Sequence, residues 1–110
     1  MMSEFANLVV FITAANKGGE AERIANALIA QRKAACVNII PKVNSRFWWQ
    51  GKIDSAEETL LVVKTRAVLL NEVIRTVKEI HSYEVPEIIA MPIVGGNQDY
   101  LDWIKRETEG

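Results

Sequence analysis

The longest continuous pattern in the sequence is a strand pattern running from Ala35 to Arg66, broken only at Gln50-Gly51. Val37, Ile39, Val43, Phe47 and Trp49 share one parity, and Asn38, Lys42, Asn44, Arg46 and Gln50 hold the other, the period of two of a strand with one apolar face. Pro41 is tolerated at a bulge or on a sheet edge. Gly51 accepts positive φ, so Gln50-Gly51 reads as a hairpin turn from which Lys52-Ile53 runs back antiparallel into Thr59-Leu60-Leu61-Val62-Val63. A hairpin this long is hard to cover in a chain of 110 residues, the length of one domain spanning 1–110. Its base around Leu60 to Val63 lacks alternation and is expected to be buried on both faces. Its tip, with Phe47, Trp48 and Trp49, projects past a small core and needs a cover from other copies of the chain.

The remaining elements fit around that hairpin. Leu8-Val9-Val10-Phe11-Ile12 is a short apolar run suited to a strand covered on both faces. Ala21, Ile24, Ala25, Leu28 and Ile29 fall at helical spacing, with Glu20, Glu22, Arg23, Asn26, Gln31 and Arg32 on the polar side. A second helix is predicted over about 67–80, with Leu70, Val73, Ile74 and Val77 on its stripe, and a fourth strand over 87–94, where Pro92 argues for an edge. Asn97 is a candidate N-cap for a last helix carrying Tyr100, Leu101, Trp103 and Ile104, with Asp99 in its first turn. The order is β-α-β-β-α-β plus a terminal helix, an α+β ferredoxin-like fold with helices on one face of an antiparallel sheet. The other face then calls for burial, and a symmetric oligomer is the economical cover.

Composition removes several functions. Thirteen basic and fourteen acidic residues give a net charge of −1, so no nucleic-acid or anionic-membrane partner is predicted. One cysteine, Cys36, and one histidine, His81, cannot build a four-ligand zinc site within a chain. No transmembrane span or secretory signal is read in the apolar stretch Leu8 to Ala15, and an unpaired thiol points to the reducing cytoplasm. Gly18-Gly19 and Gly95-Gly96 precede helices but lack the residues of a P-loop or dinucleotide fingerprint, and no nucleophile motif is present, so no enzyme is predicted.

Ala35-Cys36-Val37-Asn38-Ile39-Ile40-Pro41 and Ser45-Arg46-Phe47-Trp48-Trp49-Gln50-Gly51-Lys52-Ile53 closely resemble the CutA family of divalent-cation tolerance proteins. Glu58, Lys64-Thr65, His81-Ser82-Tyr83-Glu84-Val85-Pro86-Glu87, Gly95 and Tyr100-x-x-Trp103 extend the resemblance over almost the whole chain. It implies a ferredoxin-like subunit, a homotrimer knitted by long hairpins, copper binding and a part in the response to metal ions. Some relatives carry further cysteines implicated in copper binding, whereas this sequence has only Cys36 and His81 as soft or borderline ligands.

Cys36 therefore reads either as a small buried residue or as a copper ligand, and His81 either as a cap on the second helix's last carbonyls or as an imidazole ligand. Their ligand supply implies weak, pH-dependent copper binding, in one subunit or between facing subunits, with Met2, Met91 or carboxylates as poorer supplements and other divalent ions as alternatives. Tyr83 and Glu87, with Lys64 from another strand, are expected to form a polar pocket between subunits or a register-fixing ion pair. An alternative function is a regulatory trimer resembling PII signalling proteins, with a small effector in the inter-subunit cleft; a structural partner-binding scaffold is a third.

Overall fold

The computed structural model describes residues 5–110, and Met2 lies outside them. The chain forms β1 (Asn7–Ala15), α1 (Glu20–Ala30), β2 (Cys36–Trp49), β3 (Lys52–Arg66), a 3-10 turn (Ala67–Leu69), α2 (Leu70–Ile80), β4 (Ile88–Pro92) and α3 (Gln98–Glu107). The sheet has the order β2-β3-β1-β4, and each neighbouring pair is antiparallel. This is the predicted α+β ferredoxin-like arrangement, with the hairpin and the terminal helix in place. The second helix begins later than predicted, because the chain leaves β3 through the 3-10 turn, and the fourth strand is shorter, ending at Pro92 on the sheet edge.

One parity of the central strands packs beneath α1 and α2. Leu8, Val10, Ile12 and Ala14 of β1 and Leu61 and Val63 of β3 bury against Ala21, Ile24 and Leu28 of α1 and Val73 and Val77 of α2. The opposite parity is apolar as well, as predicted, yet the subunit does not bury it. Val9, Phe11, Leu60 and Val62 are only half-covered, while Ile40, Ile89 and Met91 on the same face are exposed.

The hairpin closes through Gln50 and Gly51, both at positive φ, opposite the pair Trp49 and Lys52. Two consecutive left-handed residues make the mirror-image turn whose twist matches its strands. Below it the expected single parity of β2 does not hold. Ile40 pairs with Leu60 but Val43 pairs with Glu58, so an extra residue bulges out at Pro41-Lys42, and Lys42 takes φ 62°. A slip of one residue moves every later side chain to the other face. Val37 and Ile39 therefore face the helices, whereas Val43, Phe47 and Trp49 turn to the open face beside Glu58 and Asp54.

The last helix is tied down at both ends. Asn97 Oδ1 accepts the Asp99 N–H at 3.0 Å, the predicted N-cap. At the far end Arg66 donates from Nε to Thr108 Oγ1 at 2.8 Å and from Nη2 to the Thr108 carbonyl at 2.9 Å. Tyr100 and Trp103 stack with ring centroids 5.5 Å apart, and Ile104 is fully buried.

Candidate functional site

Beyond the bulge, the open face and the segment between α2 and β4 enclose a cleft of about 910 Å³. Phe47 and Trp49 reach it from β2, Asp54 and Glu58 from β3, Thr13 from β1, and Tyr83, Glu84 and Glu87 from the connecting segment. Its four carboxylates, set against the single guanidinium of Arg46, make the lining acidic. Tyr83 donates its hydroxyl to Glu58 Oε2 at 2.9 Å, and Thr13 Oγ1 donates to Glu87 Oε1 at 3.4 Å. Burial, then the bond to Glu58 and the charges of Glu58 and Glu20, push the Tyr83 phenol up to about 12.

Behind that wall lies a polar cluster that the sequence does not announce. The polar side of the helical pattern places Glu20 in solvent; the structure instead buries it, 3% exposed, in the first turn of α1. Its Oε2 accepts the Ala15 N–H and its Oε1 the Ser82 N–H, both at 3.0 Å. Burial raises the Glu20 pKa, but the bonds from Ser82 and Ala15 and the nearby His81 outweigh it, holding the carboxyl below its ordinary range. A carboxylate at this position joins the end of β1 to the segment that follows α2.

His81 completes the cluster. It is the C-cap of α2, and its backbone N–H reaches the Val77 carbonyl at 2.9 Å, but its ring turns inward instead of capping carbonyls with a side chain. Nε2 lies 2.6 Å from the Thr13 carbonyl and Nδ1 accepts the Tyr83 N–H at 3.0 Å. A carbonyl only accepts and an amide only donates, so the ring carries its proton on Nε2 and spends its lone pair on Tyr83. The side chain is wholly enclosed, and in this conformation it has no lone pair left for a metal ion.

Cys36 lies elsewhere. It pairs with Lys64, which pairs in turn with Val9, whereas His81 bonds to Thr13, four residues further along β1 and thus roughly 13 Å away along the strand. The expected union of Cys36 and His81 at one ion within a subunit is therefore not what the fold makes. Lys64 Nζ reaches the half-buried Cys36 Sγ at 3.9 Å and also bonds Asn38 Oδ1. Tyr100 completes that corner, its phenol raised by burial and then by the neighbouring Cys36 thiol. Lys64 also stands apart from Tyr83 and Glu87, because six residues of β3 separate it from Glu58, roughly 20 Å. Within the subunit the cleft unites Tyr83 and Glu87 without it. Among the described residues no group of three or more His, Cys, Asp or Glu side chains is arranged to hold a metal ion.

Comparison with known proteins follows the fold closely. A family model described as "CutA1 divalent ion tolerance protein" matches residues 8–107. The chain is 46% identical to the rice "Protein CutA 1, chloroplastic" over 102 residues, covering 93% of this chain and 57% of the relative. It is 48% identical to the "Divalent-cation tolerance protein CutA" of Archaeoglobus fulgidus over 100 residues, covering 91% and 96%. The chain thus spans a little over half the length of the plant relatives it matches. The crystal structure of rice CutA1 superposes with a TM-score of 0.91 at 45% identity, over 96% of this chain and 95% of that one. The Archaeoglobus structure, described as periplasmic, gives 0.90 at 47% identity over 94% and 99%. A match that runs from the first strand through the last helix, in sequence and in fold alike, shows that the chain belongs to the CutA1 family of divalent ion tolerance proteins.

Proposed function

We propose that the chain is the subunit of a non-enzymatic homotrimer that binds copper or another transition-metal ion weakly and takes part in the response to metal ions. The observation that carries this reading is the uncovered apolar surface. Ile40, Ile89 and Met91 lie exposed on the open sheet face, and Trp48 and Trp49 at the hairpin tip are 73% and 59% exposed. A lone subunit gains little by leaving them in water, and packing between copies removes them from it. The same face presents Cys36, so symmetry-related thiols are the donors this chain offers to a soft ion. A single unpaired thiol suits a reducing compartment, and cytoplasmic residence belongs to this reading.

The acidic cleft bears on the alternative of a regulatory trimer. Within one subunit Asp54, Glu58, Glu84 and Glu87 favour a cationic over an anionic small effector, and Arg46 alone does not reverse their charge. Analytical ultracentrifugation combined with copper titration tests the proposal: a trimer that takes up copper supports it. A stable monomer at micromolar concentration, or a trimer that binds no transition metal, removes it.

A further inference from the structure

His81 Nδ1 stands between two groups that make opposite demands on it. The Tyr83 N–H, 3.0 Å away, needs a lone pair there, whereas Glu20 Oε2, 3.5 Å away, is an acceptor for a proton. The contact with the Thr13 carbonyl does not discriminate, because Nε2 carries hydrogen in the neutral tautomer and in the cation alike. Protonation at Nδ1 therefore breaks one bond and supplies another within the same small volume. The two states differ in which segment the ring holds.

We propose that His81 is a pH-operated catch on the cleft: its neutral ring holds the Tyr83 backbone and so keeps the phenol on Glu58, and its protonated ring turns to Glu20 and releases Tyr83. The connection to the cleft is direct. The His81 and Tyr83 rings lie with centroids 4.8 Å apart, and the phenol ends on Glu58, which is 7% exposed. On the other side of the ring, Thr13 accepts from Nε2 through its carbonyl and donates to Glu87 through its hydroxyl. Two walls of the cleft thus rest on one imidazole. Ser82 stays bonded to Glu20 in both states, which sets the hinge between Ser82 and Tyr83.

The charges around the ring favour this exchange. From α1 it meets Glu20, whose carboxyl is held below its usual range by the bonds from Ser82 and Ala15. The connecting segment presents Tyr83, and behind Tyr83 lies Glu58 of β3; behind Thr13 lies Glu87. On α2 itself the charged residues of the last turn, Lys78 and Glu79, are exposed and oppose each other in sign. Acid loosens the cleft, and neutral pH closes it. The inference goes beyond the trimer and metal reading and needs neither.

The test is a pH titration of the full chain, labelled with ¹⁵N and kept in EDTA, following the His81 ring nitrogens together with amide exchange. The expected result is a neutral Nε2–H tautomer at high pH that becomes a cation as pH falls. Over that interval the Tyr83 amide loses roughly tenfold of its protection, after correction for intrinsic exchange, as expected for one lost hydrogen bond. Amides of the central strands, such as Val10, keep theirs. Glu20→Gln moves the transition to lower pH, and if that variant does not fold, the wild-type titration decides alone. Constant Tyr83 protection through the ring's titration overturns the proposal. So does a ring that stays neutral until the whole chain unfolds, or a loss of protection shared equally by the sheet.

Discussion

Tyr83 and Glu58 sit 25 residues apart in sequence, yet the phenol donates to the carboxylate at 2.9 Å, tying the segment after α2 to the face of β3. A bond to an ionised acceptor is stronger than a neutral one, and Glu58 is buried enough for its partner to matter. Tyr83→Phe is expected to cost about 1 kcal/mol of stability in urea unfolding, below the usual range for a bond to a charged group because the tyrosine is partly exposed to water. An unchanged midpoint would show that Glu58 finds water as readily.

The same pair predicts an alkaline limit. The folded phenol ionises near 12, above its ordinary value of 10.0, so folding favours the protonated form. Its contribution is therefore complete below pH 10 and is lost as pH rises through 12, where the folded phenol also ionises. Stability measured against pH should fall over that window in the wild type and less steeply in Tyr83→Phe. Parallel curves would exclude Tyr83 as the source.

Glu20 sets the acid limit with the opposite sign. Its folded pKa lies below the ordinary 4.5, so its stabilisation is present above that value and is lost as pH falls through the depressed folded pKa. Glu20→Gln removes a charged acceptor from the Ala15 and Ser82 amides and should cost about 2 kcal/mol at neutral pH. The deficit should shrink on acidification, because the wild-type carboxyl then becomes protonated as well. A deficit independent of pH would assign the loss to shape rather than charge.

The strand and helix order was legible because each element carries its own period, and the turn because Gln50-Gly51 tolerates positive φ. The facing of the hairpin tip was not. Parity alone put Val37 and Trp49 on one side, and only the extra residue at Pro41-Lys42 reveals that they lie on opposite faces. Proline marks such a site without saying how many residues it inserts. Glu20 escaped for a related reason: in a helical pattern an acidic first-turn residue is indistinguishable from a solvated one until its partners, Ala15 and Ser82, are folded beside it. The compact motif from Tyr83 to Glu87 brings both residues to one cleft of the subunit, whereas the separation of Lys64 from them along β3 follows from strand register, which a single sequence does not fix.

Assembly should depend on the hairpin tip. Trp49→Asp puts a charge on a ring now exposed in the subunit, so the subunit itself loses little. Between copies it places an unpaired carboxylate in an apolar contact, and the concentration for half-dissociation should rise about tenfold or more. Sedimentation on dilution, with circular dichroism to confirm that the subunit stays folded, measures both. An unchanged trimer at every dilution would move the contact away from Trp49.

Copper should distinguish Cys36 from His81. The thiol is half-buried beside Lys64 on the open sheet face, where a soft ion can reach it. The imidazole is enclosed, with Nε2 on Thr13 and Nδ1 on Tyr83, and ligation would require breaking one of those bonds. Cys36→Ala is therefore expected to abolish most Cu(I) uptake while leaving stability within about 1 kcal/mol, a modest loss for a small, partly exposed side chain. His81→Ala should do the reverse, lowering stability by about 2 kcal/mol through the stranded amide and carbonyl, and leaving copper uptake per folded trimer unchanged. Protons compete with copper for the thiol, so wild-type affinity should weaken as pH falls. Titration of Cu(I) into both variants and the double mutant at two pH values, with unfolding curves on the same samples, reads all of this. Equal loss of uptake in both single variants would return His81 to the metal site and require the ring to leave Tyr83 when copper arrives.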